Sequence, residues 1–234
     1  ILKKLDEKFK YLDLTKNISH KGKTLYEDVY QSSKTQDGAI SAYLLNEGII
    51  PPNKDPNPII KKNYAGGYLF CPKTGIFNYM FDEDLTSLYP SIIMSLNIGR
   101  ETLIGRIVTT DDRDNRLALN DLKEMDPLDK FEVENLERKS ITMSVSEIIK
   151  LIEQNDLAIT ANGTMFRTDK PSTLSVVLSK WFDERVEYKN AMKKAYKSGD
   201  KVGGDLNHLR QYTMKILLNS LYGATALPNF RYGS

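Results

Sequence analysis

The sequence predicts an α+β chain, strands joined to a helical hairpin, on three observations. Between Tyr64 and Tyr79 the apolar runs are short and broken by Gly66, Gly67 and Gly75, a pattern of strands and turns. The run IFNYMF, Ile76 to Phe81, is apolar over a strand's length, and a buried strand is expected there. Beyond Pro171 two long stretches carry helical periodicity and are joined by a short link, Gly199 to Gly204, which demands an antiparallel hairpin.

From Ile1 to about Glu47 apolar residues recur at helical spacing. In DGAISAYLLNEG, Ile40, Tyr43 and Leu44 precede Gly48, a helix stop. PPNKDPNP, Pro51 to Pro58, reads as an extended connector, because proline fixes φ and removes a backbone donor. From about Gly105 to Thr168 the chain is richly charged, with one amphipathic helix around SVSEIIKLIEQN, and reads as a peripheral insertion. The first hairpin helix, STLSVVLSKWFDERVEYKNAMKKAYKSG, is expected to end at Gly199 and the second, DLNHLRQYTMKILLNSLYG, at Gly223. Trp181 reads as packing at the hairpin base. The divisions expected are 1–50, the tail of a preceding domain; 51–105, connector and sheet; 106–170, insertion; 171–227, hairpin; and 228–234, the start of a further piece.

Basic and acidic residues nearly balance, at net +2, so affinity for nucleic acid would come from placement rather than surplus charge. The single cysteine, Cys71, excludes an internal disulfide and has no companions for a zinc site, which fits a reducing compartment. His20 and His208 lack metal-ligand spacing. No apolar run approaches the roughly 20 residues that span a bilayer, and charge enters every turn of ILKKLDEKFKYLDL. A soluble, intracellular (cytoplasmic) protein is expected, and the opening at Ile1 reads as that of a fragment.

The most informative stretch is FDEDLTSLYPSII, Phe81 to Ile93, where acidic residues close an apolar run and a Leu-Tyr-Pro turn opens a helix. Phosphoryl transfer needs metal ions that bridge the attacking and leaving oxygens, and carboxylates to hold those ions. The helix start leaves backbone N–H groups free for phosphate oxygens. Asp82 and Glu83 rival Asp84 in the same run, and strand alternation puts Asp82 and Asp84 on one face. In the second hairpin helix Lys215, Asn219 and Tyr222 stand at i, i+4 and i+7 and project from one side. On the first, Arg185 and Lys189 stand one turn apart.

DLTSLYPSII resembles motif A of the family B, or α-like, DNA polymerases, most closely those of tailed phages, and KILLNSLYG resembles their motif B, KxxxNSxYG. The resemblance implies that the strands belong to the antiparallel sheet of a polymerase palm and that the hairpin is its fingers. It favours Asp84 as the catalytic carboxylate holding two Mg2+ ions, with the Leu85 carbonyl completing one of them. Ser87 and Leu88 would offer N–H groups to the triphosphate, and Tyr89 would exclude a ribose 2′-hydroxyl. Lys215, Arg185 and Lys189 would bind the triphosphate, and Asn219 and Tyr222 would floor the new base pair, with Tyr222 and Gly223 toward the DNA. YAGG, with Tyr64, Gly66 and Gly67, resembles the family's YxGG element, which touches the template strand.

The implied activity is template-directed DNA synthesis, dNMP transfer to a primer 3′-hydroxyl, with primer-template DNA, dNTP and the rest of a polymerase chain as partners. Motif C, a YGDTDS-like hairpin with the second metal-binding aspartate, does not occur, and RYGS, Arg231 to Ser234, has no carboxylate. The editing carboxylates are also missing, so no exonuclease activity is expected. A second reading is a non-catalytic nucleotide- or DNA-binding part of a split or truncated polymerase.

Overall fold

The computed structural model describes residues 1–54, 70–71, 73–85, 87–108, 117–137, 139–227 and 230–233. The first segment folds as three helices. α1 (Leu2–Phe9) and α2 (Tyr11–Gly22) are separated by Lys10 in the left-handed conformation, and α3 (Ser32–Asn46) stops just before Gly48. Gly48 takes φ 73°, a conformation that costs glycine little, so the expected stop is real.

The hairpin is present: α7 (Thr173–Lys197) packs along α8 (Lys201–Thr225). Each begins with a side-chain cap. The Ser172 hydroxyl accepts the Ser175 N–H at 3.0 Å, and Asp200 Oδ1 accepts the Gly203 N–H at 2.9 Å. Because Asp200 caps the second helix, the link is only Ser198 to Asp200, shorter than the glycine pattern implied. Gly204 serves packing inside α8 instead, since a Cβ there would lie 2.3 Å from the Tyr196 ring. Gly223 does not end α8, for it does not take the positive φ that terminates a helix, and the helix runs to Thr225.

α3, a short helix α4 (Leu88–Ser95) and the hairpin share one core, in which Ile40, Leu44, Ile93, Leu178, Trp181, Met214, Leu217, Leu218 and Leu221 are buried. Trp181 packs there as expected. No helix among the described residues is long and apolar enough to cross a membrane.

The sheet is where the sequence reading needs correction. Five antiparallel strands, β1 (Leu103–Val108), β2 (Lys130–Asn135), β3 (Ser140–Ser144), β4 (Leu157–Ile159) and β5 (Thr164–Arg167), form one sheet in the order β3-β2-β1-β5-β4. They occupy the stretch expected to be a charged insertion, with α5 (Leu119–Glu124) and α6 (Val145–Gln154) over a second core of Ile107, Leu117, Leu122, Ile148, Ile152, Ile159 and Met165. The predicted helix around SVSEIIKLIEQN is α6. Conversely, the expected buried strand at Ile76 to Phe81 is absent: the segment is irregular, Ile76 is 100% exposed and Phe81 83%. Apolar composition alone does not make a strand. It needs a neighbour for its N–H and C=O groups, and among the described residues every ladder lies between 103 and 167. Asp84 therefore stands in an exposed, irregular run rather than at a strand tip.

Candidate active site

Asp82, Glu83, Asp84 and Leu85 are all exposed and lead directly into α4. Ser87 is its N-cap residue in the left-handed conformation, φ 54°, and the first helical bond runs from the Ser91 N–H to the Ser87 carbonyl at 3.0 Å. The N–H groups of the first turn of a helix have no intrahelical acceptors, so the start at Leu88 and Tyr89 can take an anion.

The hairpin meets this helix start from α7 and from α8. Arg185 Nη1 donates to the Ser87 hydroxyl at 3.3 Å, while Arg185 Nε is buried and has no hydrogen-bond partner among the described residues, leaving donor capacity beside the helix start. The Tyr89 ring stacks on Tyr222 of α8, centroids 4.3 Å apart and planes 12° from parallel. Behind the pair an apolar cavity of about 300 Å3 is lined by Ile93, Ile98, Leu174 and Tyr232. Lys189, Lys215 and Asn219 are exposed, and Gly223 faces open space. Tyr196 donates to Asp205 at 2.7 Å and Arg210 lies over the Tyr188 ring at 5.7 Å. These contacts set an antiparallel register in which Arg185 and Lys215 are level along the hairpin. Tyr64, Gly66 and Gly67 lie outside the described residues.

The sequence reading missed the residue that fixes α4 against α7. Asn97, buried and in the left-handed conformation, donates Nδ2 to the carbonyls of Arg167 (2.7 Å) and Lys170 (2.8 Å), and its Oδ1 accepts the Ser172 N–H at 2.7 Å. The Ser172 hydroxyl donates to the Ile98 carbonyl at 3.0 Å and the Ser175 hydroxyl to that of Ile93 at 3.2 Å. One asparagine thus ties the end of α4, the exit of β5 and the start of α7. An asparagine near a glycine reads locally as a turn, which is why no sequence signal singled it out.

Asp84 and the Leu85 carbonyl are hard oxygen donors, the chemistry that suits Mg2+. They are too few for a complete site, and among the described residues no group of three or more His, Cys, Asp or Glu side chains could hold an ion. The chain fits one part of such a centre.

A family model described as DNA polymerase family B matches residues 26–231. The chain is 27% identical over 209 residues to the DNA polymerase of Orf virus (strain NZ2), covering 88% of this chain and 19% of that one. It is 26% identical over 198 residues to the DNA-directed DNA polymerase of Escherichia phage RB69, covering 84% of this chain and 18% of that one. It thus spans about a fifth of the length of these relatives. In fold it matches the family B DNA polymerase of Pyrobaculum calidifontis with a TM-score of 0.59 at 18% identity, over 98% of this chain and 24% of that one. The chain belongs to DNA polymerase family B.

Proposed function

We propose that this chain is the part of a DNA-directed DNA polymerase that carries the first catalytic carboxylate and grips the incoming dNTP, within an enzyme that adds dNMP to a primer 3′-hydroxyl on a DNA template. The observation that carries this reading is the convergence at α4, where Arg185 reaches Ser87 and Tyr222 stacks on Tyr89. The exposed helix start with a cation beside it suits a triphosphate, and the stacked rings offer a flat surface next to it for sugar and base. Lys215 and Lys189 add positive charge from the hairpin, and Asn219 a hydrogen-bonding amide.

Asp84 and the Leu85 carbonyl would hold Mg2+, with a second carboxylate from outside these 234 residues. When bound, the ions would lower the pKa of the primer hydroxyl and stabilise the leaving pyrophosphate. The chain's own groups orient the reaction: Ser87 and Leu88 through their N–H groups, Arg185, Lys189 and Lys215 through charge, and Tyr89 by filling the volume a ribose 2′-hydroxyl needs. YAGG, with Tyr64, Gly66 and Gly67, is assigned to the template strand, and Tyr222 and Gly223 to the duplex.

Primer extension in Mg2+ tests this reading, with the chain joined to a segment bearing the second carboxylate. Asp84→Asn is expected to abolish extension while leaving primer-template binding nearly unchanged. Near-normal extension by that variant would remove Asp84 from the mechanism. The sparse ligand set favours a second reading for the chain by itself, a binding part that gains activity only with a partner. Extension by the 234 residues alone would exclude it.

A further inference from the structure

Tyr196–Asp205 and Arg210–Tyr188 fix the start and middle of α8 against α7, and the part that carries Lys215, Asn219 and Tyr222 is also held by a buried polar side chain of α3. Gln36 of α3 is fully buried, at 0% exposure, and its Nε2 donates to the Leu217 carbonyl at 2.8 Å and to the Ser220 hydroxyl at 2.7 Å. Both acceptors lie on α8 between Lys215 and Tyr222. The surrounding contacts, through Leu217, Leu218 and Leu221, are apolar; they keep that face of α8 buried but fix small rotations of the helix about its own axis only weakly, because dispersion and hydrophobic attraction are non-directional. Two hydrogen bonds to adjacent turns do not, since each weakens steeply as its angle departs from linear.

We infer that Gln36 is a positioning residue that sets the rotation of α8, and with it the stacking of Tyr222 on Tyr89 and the aim of Lys215 and Asn219. Next to it, α3 secures the segment after α8 instead. Asp37 lies 3.6 Å from Arg231 Nε and 2.8 Å from Lys54 Nζ, and Ser41 shares a 2.7 Å hydrogen bond with the Tyr232 hydroxyl. Arg231 and Tyr232 follow α8 and Lys54 follows α3; Tyr232 lines the cavity behind the Tyr89–Tyr222 pair, but none of these contacts is made to α8 itself, so they supply an internal control. The nucleotide-facing role of α8 rests on the proposed function; the rotational role of Gln36 does not.

The variant is Gln36→Met, which keeps the side chain's length and removes both donors without leaving a buried amide unpaired; Ser41→Ala is the control. In the first measurement a fluorinated ring at Tyr222 reports its neighbour by 19F NMR in the 234-residue chain. Gln36→Met is expected to move the resonance toward the position found when Tyr89→Leu removes the stacking partner, and Ser41→Ala to leave it in place. A resonance unmoved by Gln36→Met, or moved equally by both variants, overturns the inference.

The second measurement is steady-state extension in the complete polymerase. Gln36→Met is expected to raise the dNTP KM by about five- to tenfold, the loss of one to two directional contacts. The kcat per active site should change less, and Ser41→Ala should leave KM unchanged. A fall in active fraction at constant KM is the mark of a merely structural residue and refutes the positioning role. Absence of extension by the unsubstituted enzyme counts against the proposed function instead, and the fluorine measurement then decides the inference.

Discussion

Tyr89, in the first turn of α4, lies face to face with Tyr222, near the end of α8, with planes only 12° apart. Both rings are partly open to solvent, at 45% and 41% exposure, so the stack is a surface as well as a packing contact. It is a point at which α4 and α8 touch directly.

The stack should be measurable as a coupling. In a double-mutant cycle with Tyr89→Leu and Tyr222→Leu, chemical denaturation is expected to give an interaction of about 0.5 to 1.5 kcal/mol. Strict additivity would mean the rings are neighbours without energetic contact.

Sugar selection is a separate expectation. In the active polymerase, Tyr89→Ala should raise ribonucleotide incorporation relative to deoxynucleotide by at least about tenfold, since the exclusion proposed for Tyr89 is steric. Parallel single-nucleotide extension assays with rNTP and dNTP provide the ratio. An unchanged ratio would take Tyr89 out of that role.

Asn97→Ala should destabilise the chain strongly. It orphans the buried Ser172 N–H, an unmet group that costs about 1 to 3 kcal/mol, and removes the Asn97 donor from the part-buried Arg167 and Lys170 carbonyls. A fall in Tm of only a degree or two would show that water replaces the side chain.

The cap of α6 predicts a pH dependence. Glu147 accepts from the Ser144 N–H at 2.8 Å and from its hydroxyl at 2.8 Å, and these hydrogen bonds hold its carboxyl below the ordinary 4.5. A depressed carboxylate contributes stability that is present above its unfolded pKa and disappears as pH falls through the folded value. The Tm should therefore drop less between about pH 6 and about pH 3 in Glu147→Gln than in the unsubstituted chain. Equal drops would mean that the capping carboxylate contributes nothing to acid sensitivity.

The hairpin was legible because long helices repeat their apolar positions many times and announce their ends, as Ser172 does, although Gly203 and Gly204 hid the start of the second helix at Asp200. The sheet was not. In β2, Phe131 and Val133 face the core, while Lys130, Glu132 and Glu134 cover the other face, and that charge made a half-buried strand read as part of a charged insertion. IFNYMF misled in the opposite direction, apolar enough for a strand but without a ladder partner. In the site, strand alternation left Asp82 and Asp84 equivalent, and the register of SLYPS chose between them. Gln36 and Asn97 escaped notice because their partners are brought to them by tertiary folding, which leaves no period in the sequence.

The separation between partners shapes how such a chain comes together during synthesis. Gln36 meets Leu217 across 181 residues and Ser41 meets Tyr232 across 191, whereas β2 pairs with β3 through a tight turn. Loops of that length close slowly, and local ladders close first. On the ribosome the β-sheet unit can mature early, while Ile40 and Leu44 await a helix translated much later. A chaperone that shields exposed apolar side chains would find its binding site on nascent α3.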